Sequence, residues 1–492
     1  MTFIKKPLAL VFLQLVLFNL SLDGQTSLNL SDWGVLDPWE STCESTELSK
    51  AEEKLYQNIC SKAFTWFTGT IEQAHYEPIG ELANYFGFAR LRNEIRETSN
   101  DPLADENLRG TSWLVVLENL DSTQRGMLYN AAKEQEIAFF GFLEKRVELI
   151  DLLYGLKDDE TVNLPDAVNL IQAMGEYEAE ISIISAEAFG KVSLNLTTDQ
   201  KEFFANIRQG NLIVKNLKGN GPYAFEVSDE LKALSSNQED LITETASKFL
   251  SYETGELEDA IYLPPGKIGN YFGFASYRYE ERASVSRSQA ADLLLGVLSD
   301  QQKELLKCLT TQVYDFEQSY INSRAELITD LYPLKSGVEV QDSSIVSNYL
   351  VGAIDEGKMG VVQAIYFNYL GRLLSEAQIS ELKTKRVNTG SIPTAVNEAQ
   401  ASVIKIGNNF PNPFRSNTTI IYELHQPADV RLKIYNMQGQ KVAELMEGYQ
   451  NTGIHEIQWD AKNYVAGTYI CVFQLDNNFS VIRRAFKKLN KI

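Results

Sequence analysis

Histidine is scarce: His75, His425 and His455 are the only three in 492 residues. A di-metal helical bundle takes a Glu-x-x-His pair from each of two helices. Two such motifs do not occur, so no metal and no cofactor is expected. Cysteine is nearly as sparse, with four residues, too few for a disulfide framework. Cys43 and Cys60 are close enough in sequence to pair in an oxidising compartment. Cys308 and Cys471 lie in the apolar runs LLKCL and YICVF and read as buried thiols. Gly-rich phosphate loops, metal-spaced cysteines and a nucleophile elbow are all missing, so no catalytic residue is assigned. Positive charge is short as well: 45 Lys/Arg stand against 66 Asp/Glu, a net charge of -21. Such a surface repels polyanions, which excludes nucleic acid as a partner.

The chain opens with MTFIKKP, two lysines ahead of an apolar run from Leu8 to Leu22. This is the layout of a signal peptide, expected over residues 1–24. Gln14 and Asn19 interrupt the run, and no later stretch is apolar enough to span a bilayer. No membrane anchor is expected after cleavage. An N-terminal extension follows (25–47).

From about 48 to 392 few prolines intervene and apolar residues recur every three to four positions, which predicts helices. The hexapeptide NYFGFA occurs twice, at Asn84–Ala89 and again at Asn270–Ala275, an offset of 186. Read as helix, it is apolar on most sides and belongs inside a bundle. LSKAEEKL (48–55) and LSSNQEDL (234–241) share that offset, whereas LDSTQRGML (120–128) and LSDQQKELL (298–306) are 178 apart. The shorter offset continues through Arg146/Arg324, Glu148/Glu326, Tyr154/Tyr332 and Lys157/Lys335. Two tandem helical units are therefore expected, 48–233 and 234–392.

Six short motifs read as helix starts with N-caps at Ser49, Ser122, Thr197, Ser235, Ser299 and Ser375, most completed by Gln or Glu three residues on. The pattern resembles the LTxxQ motif of small periplasmic helical chaperones. Arg92, Glu94, Arg146 and Glu148, with Arg278, Glu280, Arg324 and Glu326, recur in both units. They are candidate structural ion pairs that fix helix register; an anion site built on arginine is the alternative. Acidic residues cluster on two helices of the first unit (Glu134, Glu136, Glu144, Glu148; Glu176, Glu178, Glu180, Glu187). The second unit does not repeat them, with Lys358 where Glu180 maps, so they read as solvated faces.

Residues 393–404 form a linker, after which short alternating runs predict strands. Six or seven strands in about 85 residues suggest a β-sandwich. FPNPF (410–414), NMQGQKV (436–442), HEIQWD (455–460), AGTYICVF (466–473) and a closing basic segment resemble, in that order, the type A C-terminal sorting domain of the type IX secretion system of Bacteroidota. The resemblance covers about 405–492. It places Pro411, Asn412, Pro413, Gly439, Gly467 and Tyr469 at the family's recurrent positions. It implies the type IX machinery as partner, export to the periplasm and passage to the medium or cell surface.

The expected architecture is therefore multidomain: an all-α duplicated bundle followed by an all-β immunoglobulin- or fibronectin-like sandwich. The expected role is a secreted or surface protein whose acidic helical module binds or builds. An extracellular enzyme using an unrecognised carboxylate and arginine site, and a chaperone-like holdase, are the alternatives.

Overall fold

The computed structural model describes residues 29–39, 47–77, 85–86, 113, 115–158, 161–208, 236–263, 268–269, 271–273, 277, 286–340, 342–389, 404–406, 409–424, 427–436, 441–476 and 483–491. The expected signal peptide lies outside these, as do Ser235, Arg92, Glu94, Arg278, Glu280 and Gly439.

The N-terminal region is mostly helical. Among the described residues its main helices are α1 (Lys50–Thr68), α2 (Ile71–His75), α3 (Ser122–Tyr154), α4 (Leu164–Asn195), α5 (Thr198–Arg208), α6 (Ser236–Thr254), α7 (Leu257–Ile261), α8 (Arg287–Leu295), α9 (Asp300–Leu331), α10 (Asp342–Leu373) and α11 (Glu376–Thr389). Capping chemistry sets several starts. Ser49 and Ser299 accept from the amides of Glu52 and Gln302, whose side chains bond back. Thr197 and Ser375 do the same with Gln200 and Gln378. At α3 the cap is Asp121, not the expected Ser122: its carboxylate accepts from the Gln124 amide at 2.8 Å. Asp121 and Ser122 are both good caps, and here Asp121 holds the extended conformation that a cap needs.

Two long hairpins, α3–α4 and α9–α10, form the body. The start of α3 bonds to the end of α4 and the start of α9 to the end of α10, so each pair runs antiparallel. The hairpins meet where α4 lies along α10. A Cβ on Gly175 would stand only 2.8 Å from the Ala353 methyl, so glycine permits that approach. The buried apolar residues of all the longer helices form one core. The segment after the 3-10 turn Leu30–Trp33 lies on the second hairpin, where Gln312 on α9 and Tyr366 on α10 bond the Leu36 backbone.

One expectation is overturned. The described residues of the two NYFGFA stretches, Tyr85, Phe86 and Tyr271–Gly273, are irregular backbone and not helix. Gly269 and Gly273 have φ of +58° and +74°, a conformation that ends a helix. The rings are buried as expected: Tyr85, Phe86 and Phe272 are each 1% exposed.

The C-terminal region contains two antiparallel sheets, ordered β1-β2-β5 and β4-β3-β6-β7. The strands are β1 (Ile404–Ile406), β2 (Asn417–Leu424), β3 (Ala428–Asn436), β4 (Lys441–Gln450), β5 (Gly453–Asp460), β6 (Gly467–Asp476) and β7 (Arg483–Lys491). Burial alternates along β2, which sends Thr418, Ile420, Tyr422 and Leu424 inward, as the two-residue period of a strand requires. Ile420, Tyr422 and Leu424 join Val430, Leu432 and Ile434 of β3 and Tyr469, Cys471 and Phe473 of β6 in a second core.

Candidate functional site

Charged and phenolic groups inside the helical core form the candidate site. Lys62 on α1 is 1% exposed, and its ammonium donates to the Ile268 carbonyl. The next residue, Gly269, donates its amide to Glu356 Oε1 on α10 at 2.7 Å. Two neighbouring backbone groups beside the second NYFGFA stretch are thus held from opposite sides by a cation and a carboxyl. Burial pushes the Glu356 carboxyl up from 4.5 to about 8, and the Glu178 charge adds to the effect. Burial also draws the Lys62 ammonium down to about 8, because both charged forms lose hydration.

The first NYFGFA stretch is held differently. Tyr85 donates its hydroxyl to Tyr349 on α10 at 2.5 Å, and Tyr349 donates to Glu178 Oε2 on α4 at 2.8 Å. Burial raises both phenols well above their ordinary value, so they stay neutral donors in a relay that ends on a carboxylate. Lys248 on α6, 6% exposed, is lowered by burial, with Glu244 and Glu178 opposing the shift.

The expected arginine sites lie around this centre. Arg146 is buried, its Nε 2.8 Å from Glu77, and its Nη1 donates to the His75 carbonyl at 3.0 Å. Arg324 is buried too; its Nη1 donates to the Ile261 carbonyl at 2.8 Å, and its guanidinium stands 5.2 Å from the Tyr85 ring centre. Glu148 pairs with Lys145 at 3.4 Å, and Glu326 is exposed on α9. The expected approaches of Arg92 and Arg278 lie outside the described residues. Among the described residues, no group of three or more His, Cys, Asp or Glu side chains could hold a metal.

Several of these groups are absent from the sequence reading, which is corrected on one point. The acidic cluster is repeated in two members: Glu326 follows Glu148, and Glu356 follows Glu178, at the shorter of the two offsets. Lys248 likewise follows Lys62 at the longer one. Those offsets already align the NYFGFA copies and the helix caps, so the signal was present. The cysteine expectation is also revised. Cys60 is a free buried thiol and Cys308 is disulfide-bonded, which excludes the Cys43–Cys60 bond. Cys471 is free and buried, as read.

In the C-terminal region, Pro411, Asn412 and Pro413 form an exposed bend between an exposed Phe410 and a buried Phe414. Asn409 donates to Thr418 Oγ1 at 2.9 Å, and Thr418 donates to the Pro411 carbonyl at 2.7 Å, tying the bend to β2. Phe414 and Tyr469 both pack edge-on against Trp459, at 5.5 and 5.0 Å. The Tyr469 hydroxyl closes back on the Val465 carbonyl at 2.7 Å, the tyrosine corner of two-sheet domains. Gly467 opens β6 beside it.

Residues 408–488 match the family model of the secretion system C-terminal sorting domain. That match identifies the β region as a sorting domain. It supports a secreted protein sorted by the type IX machinery, in a released or cell-surface state. No curated protein matches the chain. No helix among the described residues is long and apolar enough to cross a membrane.

Proposed function

We propose that this protein is a type IX cargo whose helical module is its extracellular part and whose sorting domain is an address. The observation that carries this reading is the sorting-domain match at residues 408–488. The Lys5–Lys6 and Leu8–Leu22 pattern supports a signal peptide that brings the chain to the periplasm first. A disulfide at Cys308 agrees with an oxidising destination. The two sheets share one core, with Tyr422 of β2 against Phe473 of β6 at 5.2 Å, which supports a sandwich able to fold without the helices.

We read the helical module as a duplicated unit. Helices α1 and α2 recur as α6 and α7 at the longer offset, and α3, α4 and α5 begin again as α9, α10 and α11 at the shorter one. Bonds recur with them. Gln124 and Gln200 exchange carboxamide bonds at 3.0 and 2.8 Å, and Gln302 and Gln378 do so at 3.4 and 2.9 Å. Lys157 donates to the Trp66 carbonyl and Lys335 to that of Tyr252.

The module's role is structural or binding. Arg146 and Arg324 direct donors at backbone carbonyls at the ends of α2 and α7, which supports positioning rather than anion capture.

Deleting 405–492 in the native host should leave a folded helical region in the periplasm. Fusing 393–492 to a periplasmic reporter should carry the reporter outside. A truncated protein that still reaches the surface, with a fusion that stays behind, would overturn the assignment.

A further inference from the structure

We infer that the two halves of the helical module exchange their first helices, so that each half is completed by the other, as in a dimer fused into one chain. The inference rests on the duplication proposed above and concerns which half each first helix belongs to in space.

The partners of α1 come mainly from the second half. Phe64 packs edge-on against Tyr277 at 5.7 Å, and Trp66 against Phe272 at 5.6 Å and Phe367 at 6.2 Å. Lys62 reaches the Ile268 carbonyl. The partners of α6 come mainly from the first half. Phe249 packs against Phe189 at 5.7 Å and Phe204 at 6.0 Å, and Tyr252 against Phe86 and Phe189, each at 5.4 Å. Gln238 donates to Glu136 at 2.9 Å, and Thr245 to Gln135 at 3.4 Å.

One reciprocal bond carries the inference furthest. Arg386, at the end of the second half, donates to Gln73 Oε1 of the first half at 3.0 Å. Arg208 is the counterpart of Arg386 at the shorter offset, and Asp259 is the counterpart of Gln73 at the longer one. Arg208 donates to Asp259 at 2.6 Å. The same pair of positions is bonded twice, and each bond crosses from one half to the other. Arg386 also donates to Thr68 at the end of α1, at 3.1 Å. A pair confined to its own half would join Arg208 to Gln73 and Arg386 to Asp259. Among the described residues, the ties of α1 and α6 to their own halves lie at their C-terminal turns, through Lys157 and Tyr154 and through Lys335 and Tyr332. The surface that receives α1, on α8, α9 and α11, thus fits a helix of this chain's own kind, and a single unfused unit would find it on a second copy.

The test uses the full chain with a protease site inserted between residues 209 and 235. After cutting, exchange predicts one particle of uncut mass in size exclusion, with melting that becomes concentration-dependent. Two pieces that separate and each keep a cooperative melt would overturn it. Hydrogen exchange on the uncut chain gives the direction. Phe64→Leu should speed exchange about tenfold in 287–331, and Phe249→Leu in 122–208. Each variant loosening only its own half would also overturn the exchange. Where Phe64→Leu does not fold, Arg386→Met replaces it and should loosen 50–75. Superposition of the halves tests the duplication alone, so either reading can fail without the other.

Discussion

Glu356 is a residue whose charge state bears on the helical core. Its carboxyl sits near 8 in the folded protein against an ordinary 4.5, so the folded state holds a proton that the unfolded state has released. Stability therefore falls as pH rises from about 4.5 to about 8, and this loss is complete above 8. Lys62, lowered to about 8, contributes the opposite slope only above that pH. Glu356→Gln keeps an acceptor for the Gly269 amide and removes the titration. Its melting temperature should match the wild type near pH 5 and exceed it increasingly towards pH 8; parallel profiles would show that the carboxyl is ionised throughout. A second buried group invites a gain. Both polar atoms of the Gln363 carboxamide are buried without a partner. Ser185, its counterpart in the first half, accepts from Gln135, which in turn accepts from Thr245. At the positions matching Gln135 and Thr245 stand Val313 and Ile59, both fully buried and apolar. Gln363→Met should stabilise by about 1–2 kcal/mol in chemical denaturation. Neither site was legible from residue types alone, because a lone Glu or Gln on a long helix reads as a solvated face. Comparing Glu178 with Glu356 at the offset already in use would have exposed the first.

At the scale of elements, the helix caps were the most legible feature. A Ser or Thr with Gln three residues on is a local signal, and local signals survive the absence of tertiary information. The second duty of those glutamines was not legible. Gln124 caps α3 and also donates to the Asn195 carbonyl at the end of α4, 2.7 Å away. Gln302 does the same for Leu373 at 2.8 Å. This brace explains why the motif favours Gln over Glu, which cannot donate when ionised. Gln124→Glu should therefore keep the cap yet destabilise by about 1–3 kcal/mol, since the Asn195 carbonyl loses its donor and the Gln200 carboxamide loses one partner; urea unfolding measures it. The NYFGFA stretch shows the converse failure. Its aromatic content marked burial correctly, but periodicity suggested a helix that the left-handed Gly269 and Gly273 do not permit. In the β region alternation and motif order agreed, and Trp459, Tyr469 and Phe473 lie in the core.

At the scale of the whole molecule, the covalent cross-link at Cys308 is open to test. Reduction should lower stability by roughly 2–4 kcal/mol. Cys308→Ala should show the same loss, with no further change on adding reductant; a wild type indifferent to reductant would show that the bond contributes nothing. The linker and the change of period near residue 404 separated helices from strands in the sequence. The arrangement of helices was not readable there, because spacing along a chain says which segments are alike and not which ones touch.

The pairing of α1 with α8 and α9 has a consequence for timing. The first helix is complete at Thr68, and its main partners begin at Arg287 and Asp300. At synthesis rates of about 5–20 residues per second, α1 exists for roughly 10–50 s before the surface that covers it has been made. Its apolar face, including Ile59, Ala63 and Phe64, is uncovered for that interval. A full-length chain diluted from denaturant has no such delay, because every partner is present from the first millisecond. The nascent chain and the refolding chain therefore reach the same structure by different routes.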